Sequence, residues 1–187
     1  MPLSAPAERE LLHLRDITLR GYRRADGLFD VEATLADTKT YAFGNADRGT
    51  IHPGEKLHGM TMRMTVDEDM VITAFEAASD FTPYAICPAA AASFTRLAGL
   101  RIGPGFMKQV HARVGGVEGC THLRELIQQM ATVAFQTLAP VRRKRPAEAG
   151  PLKGPALLNT CYAYASNSPV VRDRWPDFYT GAKDAAK

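Results

Sequence analysis

The stretch Arg24-Ala-Asp-Gly-Leu-Phe-Asp-Val-Glu-Ala-Thr-Leu35 joins a turn signal to a strand signal. Asp-Gly between two extended runs is typical of a tight β-hairpin. After the turn, apolar residues alternate with polar ones, which is the pattern of a strand with one buried face. The apolar set is Phe29, Val31, Ala33 and Leu35. The sequence therefore predicts a hairpin within residues 11–43.

A second antiparallel pair is predicted downstream, around the acidic turn Asp67-Glu-Asp69. Met60, Met62 and Met64 alternate with polar residues before this turn, and a strand pattern follows over residues 70–77. We interpret the methionine stripe as core rather than as a soft-metal face, because Met commonly fills gaps in cores. Residues 45–55 are rich in Gly, Pro and charge and are predicted to form a loop.

Helical patterns replace the strand patterns after Asp80. Pro88 and Gly99 bound a predicted helix over residues 88–98, and a second lies between Gly103-Pro104 and Gly115-Gly116. The third is the clearest, because apolar residues recur at helical spacing over residues 123–138. The fold class predicted is α+β, with an antiparallel sheet over residues 11–78 and three helices over residues 87–139 packed on one face.

The C-terminal third of the chain has a different composition. Residues 1–139 are expected to form the core domain, and the Pro-containing basic segment 140–155 suits a linker. Residues 156–187 still hold a tryptophan and several tyrosines, so we expect this extension to dock on the core or on a second subunit. A homodimer is one form this docking would take.

Composition excludes several classes of function. The net charge of +3 over 187 residues is too mild to indicate a nucleic-acid partner. No apolar run approaches the ~18 residues of a membrane span, and the N-terminus lacks a signal pattern, so a cytoplasmic protein with no membrane partner is expected. The odd count of three cysteines argues against a disulfide framework and for thiols or metal ligands.

The sharpest chemical signal is Gly115-Gly-Val-Glu-Gly-Cys-Thr-His-Leu123, which places Cys120 and His122 at the start of the strongest helix. A helix N-terminus favours a thiolate, and Cys87 begins its own helix in the same way. If these helix starts converge, two thiolates and one imidazole suit a mononuclear zinc or iron site. Candidates for the fourth position are Asp26, Asp80, Cys161 and water.

The same residues allow other interpretations. Each cysteine could be a small buried hydrophobe and His122 a capping residue. A metal-free site would use Cys120 as nucleophile or general acid and His122 or His58 as base, with Glu125 or Asp80 orienting it. Asp26 suits a turn former. The segment Asp37-Thr-Lys39 favours a cross-strand ion pair over a ligand contact, and we interpret three further histidines as surface or structural residues: His13, His52 and His111.

The chain resembles a bacterial family described only as a domain of unknown function. The resemblance spans nearly the whole sequence and rests on Gly21-Tyr-Arg-Arg-Ala-Asp-Gly27, Asp37-Thr-Lys-Thr-Tyr41, His58-Gly-Met60, Asp80 through Cys87-Pro88, Gly119-Cys-Thr-His-Leu123, Asn159-Thr-Cys161 and Trp175-Pro176. It implies a defined type of protein without naming an activity. The resemblance also associates the chain with bacterial catabolic genes for aromatic or acyl compounds, and the expected substrate is a small organic molecule, with aromatic compounds among the candidates.

At the level of the fold, the order of strands and helices is similar to that of NifU/SufU-type iron–sulfur scaffold proteins. That resemblance implies four ligands: Asp26, Cys87, Cys120 and His122. The turn at residues 23–27 lacks the cysteine that the scaffolds carry there, which favours a mononuclear site over a cluster.

These observations lead to one expected function and two alternatives. We expect a small metal-dependent enzyme of the lyase or hydrolase type, acting on a small-molecule substrate, with His58 or Glu125 moving protons. The alternatives are an iron–sulfur or metal scaffold, and a non-catalytic binding module whose thiols are structural.

Overall fold

The structure is a computed structural model, and it describes residues 3–144, 155 and 157–181. The chain divides into two compact units, Met1–Arg145 and Pro146–Lys187. The first unit holds a four-stranded antiparallel sheet, a two-stranded sheet and the helices that pack on the larger sheet. The predicted α+β class is confirmed.

The strands of the unit are β1 (His13–Arg23), β2 (Phe29–Lys39), β3 (Phe43–Asn45), β4 (Gly49–Ile51), β5 (Lys56–Val66) and β6 (Ile72–Phe81). The main sheet has the order β1-β2-β5-β6, and all its neighbouring strands pair in antiparallel fashion. The Asp26-Gly27 turn joins β1 to β2 as predicted, with Gly27 at φ +87°.

The segment predicted as a loop differs from that prediction in one respect. β3 and β4 pair there as a short hairpin, in which Asn45 Oδ1 accepts hydrogen bonds from the backbone N–H groups of Asp47 and Arg48. This Asx turn stabilises the hairpin locally. The hydropathy pattern does not predict the hairpin, because three-residue strands are too short to give a periodic signal.

The first predicted helix is a 3₁₀ helix, Cys87–Leu97, rather than an α-helix. The side chains of Ser93, Thr95 and Arg96 each donate a hydrogen bond to the carbonyl three residues earlier. Such local side-chain hydrogen bonds to the backbone compete with the α-helical pattern, which accounts for the tighter 3₁₀ winding.

The other two helices lie close to their predicted positions. α1 spans Phe106–Val114, and α2 spans Thr121–Lys144. α2 continues through Pro140, beyond the predicted end at residue 139. A proline inside a helix removes one backbone donor but does not force the helix to end.

The core lies between one face of the main sheet and the helices. α2 packs on β1 and β2, and the 3₁₀ helix packs on β6. The methionine stripe is buried in this layer, as predicted, together with Phe94, whose side chain is fully buried.

The second unit is small. Within it, α3 (Pro169–Arg174) is capped by Ser168, whose hydroxyl accepts a hydrogen bond from the N–H of Val171. Val171 is buried, and the rings of Tyr164 and Trp175 lie 5.3 Å apart. Residues 145–154 of the predicted linker lie outside the described residues, and docking of the extension stays a prediction. No helix among the described residues is both long and apolar enough to cross a membrane.

Candidate metal centre

Three neighbouring strands bring charged side chains together at one end of the main sheet. Arg15 on β1 lies opposite Asp37 on β2, and Asp37 lies opposite His58 on β5. Directly opposed residues point to the same face of a sheet, and this face is the one that packs against the helices. The strand register therefore places a cation, a carboxylate and an imidazole in one row.

Asp37 is the anchor of this row. Its side chain is 1% exposed and accepts both arms of the Arg15 fork, Nε to Oδ1 and Nη2 to Oδ2, each at 2.8 Å. His13 Nε2 lies 3.3 Å from the same carboxylate. Burial alone would raise the pKa of Asp37, but the hydrogen bonds from Arg15 and His58 outweigh it and lower the pKa to about 2. Asp37 is therefore ionised at neutral pH.

The bond between Asp37 and His58 fixes the tautomer of the imidazole. His58 Nδ1 lies 2.8 Å from Asp37 Oδ2, and an ionised carboxylate can only accept. Nδ1 must therefore carry the hydrogen, which leaves the lone pair of the neutral ring on Nε2. Burial lowers the pKa of His58 below its ordinary 6.5, and the neighbouring His122 lowers it further, against the opposing effect of Asp37.

The position of His58 depends on the glycine that follows it. A Cβ at Gly59 would lie 2.7 Å from Cδ2 of Phe81, its cross-strand partner on β6. The pairing of β5 with β6 shifts register between Gly59 and Met60. Only glycine allows the Phe81 ring to pack this closely on the strand next to the histidine.

The start of α2 supplies the second imidazole. The carbonyl of Cys120 accepts the first helical hydrogen bond, from Arg124, so Cys120 is the N-cap residue and His122 lies in the first turn. The rings of His122 and His58 lie 4.0 Å apart between centroids. Sγ of Cys120 lies 3.9 Å from His122 Nδ1. Sheet and helix therefore contribute one imidazole each to a single site.

This arrangement has the donor atoms of a metal centre. One donor atom each of Asp37, His58 and His122 lie within 4.8 Å of one another, and no other described group of three does so. Both oxygens of Asp37 already bind Arg15. The carboxylate therefore suits the role of the orienting partner that metal-binding histidines commonly have, with Nε2 of His58 as ligand. Imidazole and thiolate donors suit zinc or iron.

A cavity of about 640 Å³ opens beside these groups. Its lining comprises His58, Met60, Pro83, Tyr84, Ile86, Cys87, Ala89, Ala90, Ser93, Arg96, Val117, Glu118, Gly119, Cys120, Thr121 and His122. The volume lies within the roughly 300–1,000 Å³ usual for small-molecule sites. The imidazoles and thiols occupy one part of a wall that is otherwise mostly apolar.

The cavity brings together four of the residues singled out from the sequence: His58, Cys87, Cys120 and His122. The other candidates lie elsewhere. Asp26 is in the hairpin turn, at the opposite end of β2 from Asp37, and pairs with Arg24. Asp80 is exposed on β6 and is not among the lining residues. Glu125 is 58% exposed and pairs with Arg15 at 3.2 Å. Cys161 belongs to the second unit and is exposed.

The cross-strand ion pair predicted for Asp37 is present, with Arg15 as its partner. The sequence interpretation did not include its contact with His58, and it treated His13 as a surface or structural histidine. Counting back from the Asp26-Gly27 turn would have paired Arg15 with Asp37. The second contact continues the regular register of the β2–β5 ladder, which shifts only beyond it, between Asp37 and Thr38. Predicting it requires the pairing of β2 with β5, which no local sequence pattern indicates.

Comparison with protein families gives one match, and it covers the residues that build this site. The profile of the family described as "Protein of unknown function (DUF2889)" matches residues 13–136. No curated protein and no solved structure matched the chain. The matched range includes both strand histidines, the site cysteines and the first turns of α2. Since it also covers more than half of the 187 residues, the chain belongs to the DUF2889 family.

Proposed function

We propose that this protein holds one zinc or iron ion at the end of the main sheet and uses it to act on a small organic molecule in the adjoining cavity. The observation that carries the proposal is the convergence of His58 and His122 with the buried carboxylate Asp37. Surface histidines rarely have a buried acidic partner, whereas metal-binding histidines commonly have one.

In this proposal His58, through Nε2, and His122 bind the ion. The thiolate of Cys120, whose Sγ lies 3.9 Å from His122 Nδ1 but outside the group that converges within 4.8 Å, moves in as the third ligand. Asp37 and Arg15 hold His58 in the required tautomer and orientation. Three protein ligands leave one position for water or substrate, which is the usual pattern of catalytic zinc. Cys87 lines the same cavity, and a bond from its thiolate would fill that open position and favour a structural or carrier site over a catalytic one.

The proposed reaction class is that of a lyase or hydrolase. A bound ion of this kind polarises a carbonyl oxygen or lowers the pKa of water. The protein contributes a largely apolar wall, and low polarity strengthens electrostatic interactions at the reacting atoms. Glu125 pairs with Arg15 outside the cavity lining. His58 and His122 would use their nitrogen lone pairs as ligands, so none of these three residues would serve as a free general base in this proposal.

Cobalt titration of the metal-free protein tests the site directly. We expect one equivalent of Co²⁺ to bind, with a thiolate-to-cobalt charge-transfer band that Cys120→Ser removes. His58→Ala and His122→Ala should each weaken binding at least tenfold, the order of effect expected on losing a ligand. A weaker band in Cys87→Ser would make that thiolate a fourth ligand.

Two variants serve as controls, His111→Ala and Cys161→Ser, because neither residue lines the cavity. Both should bind Co²⁺ as the unmodified protein does. Failure of the unmodified protein to bind Co²⁺, or equal binding by His122→Ala, would overturn the proposal. Elemental analysis of protein purified without chelators then identifies the natural ion.

A second candidate function is thiol catalysis without metal, favoured by the 3.9 Å contact between Cys120 Sγ and His122 Nδ1. A thiol next to an imidazole can act as a nucleophile after losing its proton to the ring. In metal-free protein this function requires Cys120 to react with iodoacetamide faster than the more exposed Cys161, and His122→Ala to abolish the difference. Mass spectrometry of labelled peptides measures both rates.

A further inference from the structure

Large apolar side chains are exposed around the mouth of the cavity. Tyr84 is 57% exposed, Ile86 is 80% exposed and Val117 is fully exposed, and all three line the cavity. Single exposed apolar residues are ordinary on protein surfaces, but a group of them around an opening marks a binding site. We call these three residues the apolar rim.

The first part of the rim is held rigidly by its backbone. The N–H of Ala85 donates to Asp47 Oδ2 at 2.7 Å, and the hydroxyl of Thr82 donates to the carbonyl of Tyr84 at 2.9 Å. The N–H of Cys87 donates to the same carbonyl. These bonds fix the segment that carries Tyr84 and Ile86, so the exposure of both side chains is built into the fold.

The second part of the rim is held by an arginine. Arg96 donates to the carboxylate of Glu118 at 3.1 Å and to the Glu118 carbonyl at 3.0 Å. Both bonds anchor the turn Gly116–Glu118, which presents Val117 to solvent. A rigid segment that displays an apolar side chain loses little entropy when a ligand covers it.

Charge sets a further limit on the ligand. Apart from histidines and cysteines, the ionisable residues that line the cavity are Tyr84, Arg96 and Glu118, and the last two form an ion pair with each other. No unmatched charge on the wall is therefore available for an ionic tail. The lining also includes four small or apolar side chains: Met60, Pro83, Ala89 and Ala90.

We infer that the ligand of this cavity is amphipathic, with a metal-coordinating oxygen head at the imidazoles and an apolar hydrocarbon tail that passes over the rim. The head group is inferred from the proposed metal function, whereas the tail is inferred from the rim alone. A cavity of about 640 Å³ has room for both, since a head group alone would leave most of it empty.

Two hydroxamates that differ only in their tails test this inference on the cobalt-loaded full-length protein. Octanohydroxamate and acetohydroxamate present the same bidentate head. We expect octanohydroxamate to bind at least tenfold more tightly, because its additional methylene groups leave water. In the double variant Ile86→Ser, Val117→Ser the ratio should fall below threefold, while acetohydroxamate binding stays unchanged. Leu11→Ser, which replaces an exposed leucine on the strand side of the unit, is the matched control.

A metal-independent probe separates this inference from the proposed function. 1-Octanol should bind the metal-free protein, shift the NMR signals of Ile86 and Val117, and bind the double variant at least fivefold more weakly. Octanol binding without any cobalt binding would support the tail and overturn the metal centre. Equal affinity for both hydroxamates, or equal octanol affinity in the unmodified protein and the double variant, would overturn the inference of an apolar tail. A dimer that the double variant dissociates would overturn it as well, by assigning the rim to a second copy.

Discussion

Asp37 is buried and ionised, and both of its carboxylate oxygens have hydrogen-bond partners. These contacts explain the protonation behaviour expected of the site histidines. The Arg15 fork neutralises its charge, and His58 and His13 lie within reach of the same two oxygens. Removing one member of such a buried set leaves the others unsatisfied, so the cost exceeds that of one surface hydrogen bond. This residue therefore controls both stability and the protonation of its neighbour.

The first prediction concerns the protonation of His58 in metal-free protein. Burial and His122 lower its pKa, while Asp37 raises it. NMR titration should show the His58 ring gaining its proton below pH 6.5. His122→Ala should move this midpoint upward, and Asp37→Asn should move it downward. A midpoint that stays the same in both variants would contradict the electrostatic coupling.

The second prediction concerns acid stability. The pKa of Asp37 is about 2 in the folded protein against 3.8 as the ordinary value, so the folded state gains stability from this ionisation above pH 3.8. That contribution, on the order of 2 kcal/mol, is lost as the pH falls toward 2. Urea unfolding at a series of pH values should show the loss.

Asp37→Asn should lower the free energy of unfolding at neutral pH by on the order of 2 kcal/mol and flatten its fall in acid. Asp16→Asn is the control, because Asp16 lies on the neighbouring strand with an exposed side chain. If both variants follow the pH profile of the unmodified protein, Asp37 does not contribute as described.

At the scale of elements, the fit of α2 to the sheet depends on a small residue. Gly21 on β1 faces Thr137 on α2, and a Cβ on Gly21 would overlap the Thr137 hydroxyl. The hydroxyl of Thr137 donates to the carbonyl of Val133 at 2.8 Å, which holds the side chain in place. The glycine therefore permits close contact between the helix and the strand.

The third prediction follows from this contact. Gly21→Ala should destabilise the protein by about 1–3 kcal/mol, the usual cost of inserting a methyl group into a packed interface. Thr137→Ala in the same chain should recover part of the loss. The control is Gly44→Ala, since Gly44 has no neighbouring atom within 4 Å of its added Cβ. Thermal unfolding followed by circular dichroism compares the four proteins.

Elements also show where sequence reasoning succeeds and where it fails. The hairpin at Asp26-Gly27 and the period of α2 follow from local rules, so both were predictable. The 3₁₀ winding of Cys87–Leu97 depends on side-chain bonds to the backbone, and the Asp37–His58 contact depends on the pairing of β2 with β5, which is distant in sequence. Neither has a periodic signature in the sequence.

At the scale of the whole molecule, every residue placed at the proposed metal centre and the rim belongs to the first unit. The cysteines show which part of the site can be predicted from the sequence. The shared position of Cys87 and Cys120 at helix starts was visible, and both thiols line one cavity. That Asp37 rather than Asp26 accompanies them required the strand order, which pairs β2 with β5.

The fourth prediction is that a chain ending at Arg145 keeps the site. It should bind one equivalent of Co²⁺ with an affinity within threefold of the full-length protein, because no ligand comes from the second unit. Isothermal titration calorimetry measures the affinity, and circular dichroism confirms that the shortened chain folds. A much weaker site in a folded fragment would show that the C-terminal extension completes it.

The row of Arg15, Asp37 and His58 lies within the sheet, whereas His122 belongs to α2. During folding, the strands can therefore assemble half of the site before the helix arrives. An ion would bind weakly to that half and tightly only after α2 docks, so metal capture would mark a late folding step. Stopped-flow refolding with cobalt present would then record helix docking as an optical signal, in a protein whose single tryptophan lies in the other unit.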